Sequence, residues 1–540
     1  MKPGVPVIDL FAGPGGLGEG FASLSDVFRI DLSAECEPSA HKTLRLRAFK
    51  RILERDSRSL DCYYDYVHGH TPVPFDDTCK DAWEVAGREA LKLTLGDRHD
   101  NEVLARELEG LGLEQSNWVL IGGPPCQAYS IVGRARNRSK FDYVPEDDKR
   151  HFLYKEYLKI IQHFRPAVFV MENVKGMLSS RVGGQKIFHQ ILADLTRPDE
   201  ALKRPRNGPG YRIHSLVDQS IVYRSGDEPG ELSDDAFLVL SEYYGIPQTR
   251  HRVFLVGVRE DIDSGPDELS FVSGAGGVGP TLHDAIGDLP ALRSGLSRND
   301  TEPAWREAVQ DQGKRLIADA HRAGLDDIAD AIAANLNDLS RRVPLSTGGI
   351  RFGGYPHKQS QDKWGLRRWW GDSRLESWLN HQARSHMPSD LGRYLYSSAF
   401  AQIWGRSPCG VDEFSLPGLA PNHANWSSGK FSDRFRAQPW GIPAKTITSH
   451  ISKDGHYYIH PDPAQCRSLT VREAARVQTF PDNYFFEGNR TEQFHQVGNA
   501  VPPLLAHKIA HLVRDLLIEA GREIDDSQQD GMKPHSIQFG

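Results

Sequence analysis

A cysteine stands between two prolines and a glutamine in Gly122-Gly123-Pro124-Pro125-Cys126-Gln127, directly after the apolar run WVLI. Proline locks φ, so the loop is stiff and presents the Cys126 thiol at the carboxyl end of a strand, where open α/β sheets place ligands. A thiol held in this way suggests a nucleophile. Only the thiolate attacks, and a thiol of ordinary pKa, about 8.5, is a few per cent ionised at neutral pH, so a cation or dipole must stand close. Two further segments supply polar groups. Phe169-Val170-Met171-Glu172-Asn173-Val174 ends an apolar run in a polar pair, which lets Glu172 face the same pocket as Cys126. Gln248-Thr249-Arg250-His251-Arg252 precedes the run VFLVGV. Residues two apart in an extended chain share a face, so Arg250 and Arg252 point the same way, as two cations suited to a phosphate or the polar edge of a base.

A second group of residues reads as a nucleotide site. Asp9-Leu10-Phe11-Ala12-Gly13-Pro14-Gly15-Gly16-Leu17-Gly18 follows an apolar strand and opens a helix, and its glycines let backbone approach a ligand at the sheet edge. It is not GxGxxG, and Pro14 removes an N–H that a phosphate cradle would use, which favours a nucleoside without pyrophosphate. About twenty residues beyond Gly16 stands Glu35, where an acidic side chain accepts ribose hydroxyls. Gly96-Asp97 is a third edge contact, and Gln496-Val497-Gly498-Asn499-Ala500-Val501-Pro502-Pro503 has a Gly-Asn turn that can complete the same cleft.

The elements that must position these groups are visible in the hydrophobic pattern. Short apolar runs alternate with helical periodicity over the first 260 residues, the signature of βαβ units and a doubly wound parallel sheet. Strands are predicted at Val5–Phe11, Val27–Leu32, Trp118–Ile121, Ala167–Met171 and Val253–Val258, and helices near Glu19–Leu24, Phe152–Phe164 and Gln185–Leu195. A charged insertion spans 46–92 and receives no function. Gly/Pro-rich sequence then leads into a second domain, so the expected organisation is 1–260 catalytic, 261–465 recognition, 466–522 helices completing the first domain, and 523–540 a disordered tail.

Charge and composition narrow the partners. Over 341–410 eleven Lys and Arg face four Asp and Glu, a local +7 within a chain of net −7, and Trp364, Trp369, Trp370 and Trp404 lie among them, a mixture suited to phosphate contact and base stacking. Hydrophobic residues at 39% and charged at 25% exclude collagen, wholly disordered and membrane-spanning classes. The start MKPGVPVIDLFAG puts Asp9 where a signal peptide keeps its apolar core, so an intracellular location is expected. The six cysteines form no CxxC pair, and His507 and His511, four apart on a helix, lack a third ligand and read as packing residues.

DLFAGPGGL, GGPPCQAYS, MENV, QTRHR, LTVREAARVQTFP and QVGNAVPP, in this order, resemble the ordered motifs of the C5-cytosine DNA methyltransferases over roughly 1–260 and 430–515, with 265–430 where that family keeps its variable target-recognition domain. The resemblance implies a Rossmann-like α/β fold and S-adenosylmethionine as cofactor, bound by Phe11, Gly13, Gly16 and Leu17, with Glu35 on the ribose, Asp97 on the adenine amine, and Asn499 and Val501 at the methionine end. It implies that Cys126 adds to carbon 6 of cytosine, that Glu172 holds N3 and the exocyclic amine, and that Arg252, assisted by Arg250, binds O2, with no metal. The target base would be flipped out of double-stranded DNA, the 128–150 stretch would close over it as a mobile loop, and Gln127, Ser130, Arg367 and Arg368 would touch DNA. A restriction-modification or phage-defence role, with a restriction or defence partner, and a cytoplasmic, nucleoid-associated location follow. The alternative substrate is tRNA, against which the long 260–465 region argues. Cys36 departs from the pattern, standing where relatives carry an aromatic against the adenine.

Overall fold

The computed structural model describes residues 4–113, 117–125, 153–182, 185–203, 208–228, 230, 233–262, 279–356, 362–421, 426 and 434–519. Cys126, Gln127, Ser130, the expected loop at 128–150 and the expected tail at 523–540 lie outside these residues.

β1 (Val5–Leu10) is buried from Val7 onward, as a strand covered on both faces must be. β2 (Phe28–Glu35) and β3 (Ala90–Lys92) lie on one side of it and β4 (Val119–Gly122) and β5 (Val168–Val174) on the other, all parallel. Strand order reverses between β1 and β4, so their carboxyl ends frame the crevice where such sheets take ligands. Beyond β5 come β6 (Tyr211–His214), β7 (Val222–Tyr223), β8 (Leu238–Leu240) and β9 (His251–Arg259), in the order β3-β2-β1-β4-β5-β9-β6-β7, with β8 also on β9.

Here the parallel expectation is corrected: β9 runs antiparallel to β5, and the sheet is mixed. The reason is a turn in place of a crossover. β8 pairs antiparallel with β9 and therefore runs with β5 toward the carboxyl edge. The chain turns there through 241–250, and β9 has to run back.

One face of the sheet is covered by α1 (Gly16–Ala22) and α14 (Pro503–Glu519), with Leu17, Phe21, Leu505 and Ile509 on Val7, Val170 and Phe254. The other carries α5 (Arg98–Gly110), α6 (Leu153–Phe164) and α7 (Ile187–Thr196), with Leu104, Tyr157 and Ile191 near Ile8, Leu120 and Phe169. The stretch around 46–92 is helical: α2 (Pro38–Arg55), α3 (Asp61–His68) and α4 (Lys80–Glu89) enclose Phe49, Ile52, Tyr63 and Ala82. That core is closed by Trp378 and Leu379 from a hairpin of β10 (Gly348–Gly353) and β11 (Ser377–Gln382). A separate core gathers Trp305, Ile332 and Tyr394 from α8 (Glu302–Arg322), α9 (Asp326–Arg341) and α11 (Pro388–Trp404).

This packing gives much of the basic, aromatic segment partners within the chain. Arg351 donates to the carbonyls of Tyr66 and Val67. Arg374 pairs with Asp61 at 2.6 Å, Arg393 with Asp390 at 2.7 Å, and Arg406 with Glu413. Arg384 is capped by the carbonyls of Ile451 and Lys453, and Trp370 and Trp378 are buried. Arg384 and Arg393 are buried, whereas Arg351, Arg374 and Arg406 stay exposed while bonding neighbours, a division that a count along the chain does not register.

Gly257 opposes Phe169 across β9 and β5, and a Cβ there would lie 2.1 Å from the ring. Gly257→Val is expected to lower unfolding stability by about 1–3 kcal/mol, read as a lower urea midpoint; an unchanged midpoint would contradict this packing.

Candidate active site

The antiparallel run of β9 creates the site's central pair. β9 begins where β5 ends, with Arg252 opposite Val174 and Phe254 opposite Glu172. Glu172 and Arg252 are therefore diagonal neighbours on one face, and Arg252 Nε lies 3.0 Å from Glu172 Oε1 with both side chains mostly buried. Burial pulls the Arg252 pKa down and the Glu172 carboxylate pulls it back, so each charge depends on the other. Arg252 Nη1 also donates to the His251 carbonyl at 2.9 Å.

The proline loop is fastened beside this pair. Asn173, on the opposite face of β5 from Glu172, donates through Nδ2 to the Pro124 carbonyl at 3.1 Å. Gly123 passes so close that a Cβ there would stand 3.1 Å from Glu172 Oε2. The segment leading into Cys126 is thus held against Glu172 by its neighbour in sequence.

Arg250 takes a different course from Arg252. It is buried, and Nη1 donates to the carbonyls of Ile447 at 2.8 Å and Gly498 at 3.3 Å. The extended chain breaks at this residue, since Gln248–Thr249 pairs instead with Ala444–Lys445. The structure joins Arg252 to Glu172 and uses Arg250 to tie the strand to two later segments.

The glycine loop lies at the carboxyl end of β1. Gly13 N–H donates to Glu35 Oε2 at 2.7 Å and Glu37 N–H to Glu35 Oε1 at 2.8 Å, so the Glu35 carboxylate is fixed at the end of β2 and faces the loop. Phe11 and Gly13 both have positive φ, 57° and 58°, and no atom comes within 4 Å of where a Gly13 Cβ would point, which leaves an open cradle. Gly16 touches the last motif: a Cβ there would be 2.2 Å from the Val501 carbonyl. Val501 is therefore at the loop, with Asn499, the last residue of α13 (Arg490–Asn499), two residues before it. Leu17 is buried under the loop on the α1 face. Asp97 caps α5, its Oδ1 accepting from the N–H groups of His99 and Asp100 at 2.9 and 3.2 Å, and its side chain is exposed. Cys36, exposed, places a sulfur 3.6 Å from Glu35 Oε1.

The C-5 cytosine-specific DNA methylase family matches residues 99–199 and 236–514. The chain belongs to this family. It is 31% identical over 95% of its length to the type II methyltransferase M.Bpa9945I of Bacillus paralicheniformis, covering 99% of that protein. It is 28% identical to the type II methyltransferase M.AgeI of Thalassovita gelatinovora over 94% of this chain and 98% of the other. The DNA (cytosine-5-)-methyltransferase M.ApeKI of Aeropyrum pernix shares 25% over 74% of this chain and 81% of its own. The activity is that of a DNA (cytosine-5-)-methyltransferase.

Several residues that position this methyltransferase's site received no role from the sequence. Gln248 donates to Gln478 Oε1 and to the Val477 carbonyl at the end of α12 (Val471–Val477), and Gln478 donates to the carbonyls of Val497 and Ala500. A buried amide pair thus links the strand of Arg252 to the turn of Asn499. Tyr484 donates to the Pro14 carbonyl. For Gln248 and Gln478 the available signal was their position inside two of the quoted motifs, whereas Tyr484 lies outside all of them. His507 accepts or donates to Ser23 Oγ at 2.6 Å and to His511 at 3.1 Å, a packing pair. Arg367 and Arg368 lie on α10 (Leu366–Trp370), whose Trp369 donates to the Thr479 carbonyl and stacks obliquely on His507 of α14. Arg367 Nε is 4.0 Å from Asp288 and Arg368 is exposed.

Asp9 is buried beside Gly18 of α1, and burial pushes its carboxyl up to about 8. A pKa raised on folding means that the folded state binds the extra proton, so stability falls as pH rises from about 4 to 8. Asp9→Asn is expected to flatten that part of a thermal-unfolding pH profile; a variant profile parallel to the parent's would contradict the assignment.

Proposed function

We propose that the enzyme methylates carbon 5 of cytosine in a specific double-stranded DNA sequence, from S-adenosylmethionine, through a covalent bond between Cys126 and carbon 6 of a flipped-out base. The observation that carries this reading is the Glu172–Arg252 pair beside the Pro124-Pro125 loop that leads into Cys126. A type II restriction-modification setting is supported by the names of M.Bpa9945I and M.AgeI.

The donor, when bound, supplies an electrophilic methyl group. The residues present fit it: Glu35 faces the loop for ribose hydroxyls, the space over Gly13 admits a ligand against bare backbone, and Val501 borders the same loop, with Asn499 two residues before it. Phe11, Gly16, Leu17 and Asp97 complete the proposed contacts.

The chemistry asked of the chain's own groups is additive. Cytosine carbon 5 is a poor nucleophile until the Cys126 thiolate adds at carbon 6 and pushes the electron pair toward carbon 5. N3 takes up the proton that balances this addition, and Glu172 hydrogen-bonds N3 and the exocyclic amine, stabilising the N3-protonated adduct. Arg252 donates to O2, and its charge favours the thiolate over the thiol. After carbon 5 takes the methyl group, its proton passes to solvent water, the electron pair of that C–H bond re-forms the carbon 5–carbon 6 double bond and expels the sulfur as thiolate, and N3 gives up its proton. Arg250 supports the reaction by positioning, through the carbonyls that it caps. Gln127, Ser130 and the exposed Arg368 are the proposed DNA contacts.

Cys126→Ser is expected to abolish methyl transfer to duplex DNA while leaving donor binding within about twofold, and Glu172→Gln to lower kcat by about 10²–10⁴-fold, the usual range for a side chain assisting proton transfer. Duplexes carrying 5-fluorocytosine should trap the parent as an adduct that survives denaturation; failure to trap, with a positive control working, overturns the covalent reading. Equal or greater methyl incorporation into tRNA than into duplex DNA overturns the substrate. Arg368→Ala is expected to lower the log–log salt slope of DNA binding by about one; an unchanged slope places the phosphates elsewhere.

A further inference from the structure

Helices α3 and α4 bring together three side chains that no motif connects. Cys62, in the first turn of α3, Cys79, immediately before α4, and Asp76 in the loop between them each offer one donor atom, and the three atoms lie within 4.8 Å of one another. Cys79 Sγ is 3.4 Å from Asp76 Oδ1. A tetrahedral zinc ion with Zn–S of about 2.3 Å and Zn–O of about 2.0 Å separates a sulfur from an oxygen ligand by about 3.5 Å and two sulfurs by about 3.8 Å. The Cys79–Asp76 separation matches that ligand-to-ligand distance, and the Cys62 sulfur lies within 4.8 Å of both atoms.

The donors are also held in place. Asp76 Oδ1 accepts from the N–H and hydroxyl of Thr78 at 2.8 and 2.6 Å, and the Asp76 N–H donates to Cys79 Sγ at 3.3 Å while the Cys79 thiol donates to Asp76 Oδ1 at 3.4 Å, so a cation bound here would replace the thiol proton that now lies between sulfur and carboxylate. Arg58 fastens the loop from outside by donating to the Thr78 carbonyl and pairing with Asp81 at 2.8 Å. Two thiolates favour zinc-like cations over magnesium or calcium. A second cluster, His68, His70 and Glu376, is less suited, because His68 Nε2 accepts the Glu376 N–H at 3.2 Å and its proton then occupies Nδ1.

We propose that Cys62, Asp76 and Cys79 form a binding site for one thiophilic divalent cation of the zinc class, with water as the fourth ligand. The cation ties the start of α3 to the start of α4. It thereby stiffens the surface that holds the later hairpin region, where Arg374 pairs with Asp61 and Tyr64 bonds Asp372.

The test uses the full chain, reduced and stripped of metal, titrated with Co²⁺. One equivalent is expected to give a thiolate-to-cobalt charge-transfer band that Zn²⁺ bleaches, and Zn²⁺ should raise Tm. Cys62→Ser and Cys79→Ser should each abolish the band, Cys409→Ser should retain it, and Asp76→Asn should weaken cobalt affinity by about tenfold or more. Absence of the band in the parent chain overturns the proposal, and needs no variant to fold. A band that persists in Cys62→Ser/Cys79→Ser, or a parent Tm indifferent to Zn²⁺, overturns it as well.

Discussion

A carboxylate and a guanidinium, both largely withdrawn from water, meet at the carboxyl edge of the sheet only because one strand runs against its neighbour. Were β9 parallel to β5, its first residues would lie at the opposite edge and Arg252 would be a strand length from Glu172. A charge left alone in so buried a position is strongly destabilising, on the order of 3–5 kcal/mol when one partner of a buried pair is removed. The mixed topology and the pair therefore require each other. The 241–250 turn, which reverses the chain, is as much a part of the site as the side chains that it delivers.

The surrounding structure reads as means of holding that edge. Asn173 faces away from Glu172 yet fixes the carbonyl of Pro124, so adjacent residues on opposite faces of β5 serve the reacting group and its loop. Arg250, Gln248 and Gln478 bind backbone carbonyls and one another beneath the surface. The two Gln248 bonds join segments 229 and 230 residues apart in sequence. Because the groups are buried, losing a partner exposes the full desolvation cost of the other, which makes the return of the C-terminal segment obligatory for an ordered site.

The cofactor side follows another rule, that of backbone access. Positive φ at Phe11 and Gly13 turns the loop so that Gly13 N–H reaches Glu35, and Gly16 admits the Val501 carbonyl at a distance that no side chain permits. Glycine here is a requirement of contact between two motifs nearly five hundred residues apart.

Much of this was legible in the residues. Stiff prolines before Cys126, a polar pair ending an apolar run at Glu172, and glycines after β1 each state a local constraint that short stretches of sequence carry by themselves, and their order marked the family. Strand positions were legible for the same reason, since burial on both faces leaves continuous apolar runs. Direction and partnership were not. Whether a strand runs up or down depends on where the chain last turned, whether Arg250 serves a ligand or a carbonyl depends on what packs above it, and that Arg384 is buried while Arg351 and Arg374 stay exposed depends on contacts made by distant segments. The meeting of Cys62 with Cys79 belongs to the same class, because proximity between residues seventeen apart is set by how two helices pack. The sequence alone determined which chemical groups exist and which local shapes present them; the tertiary structure decided which of them share a pocket, since only folding brings desolvated charges close enough to need each other.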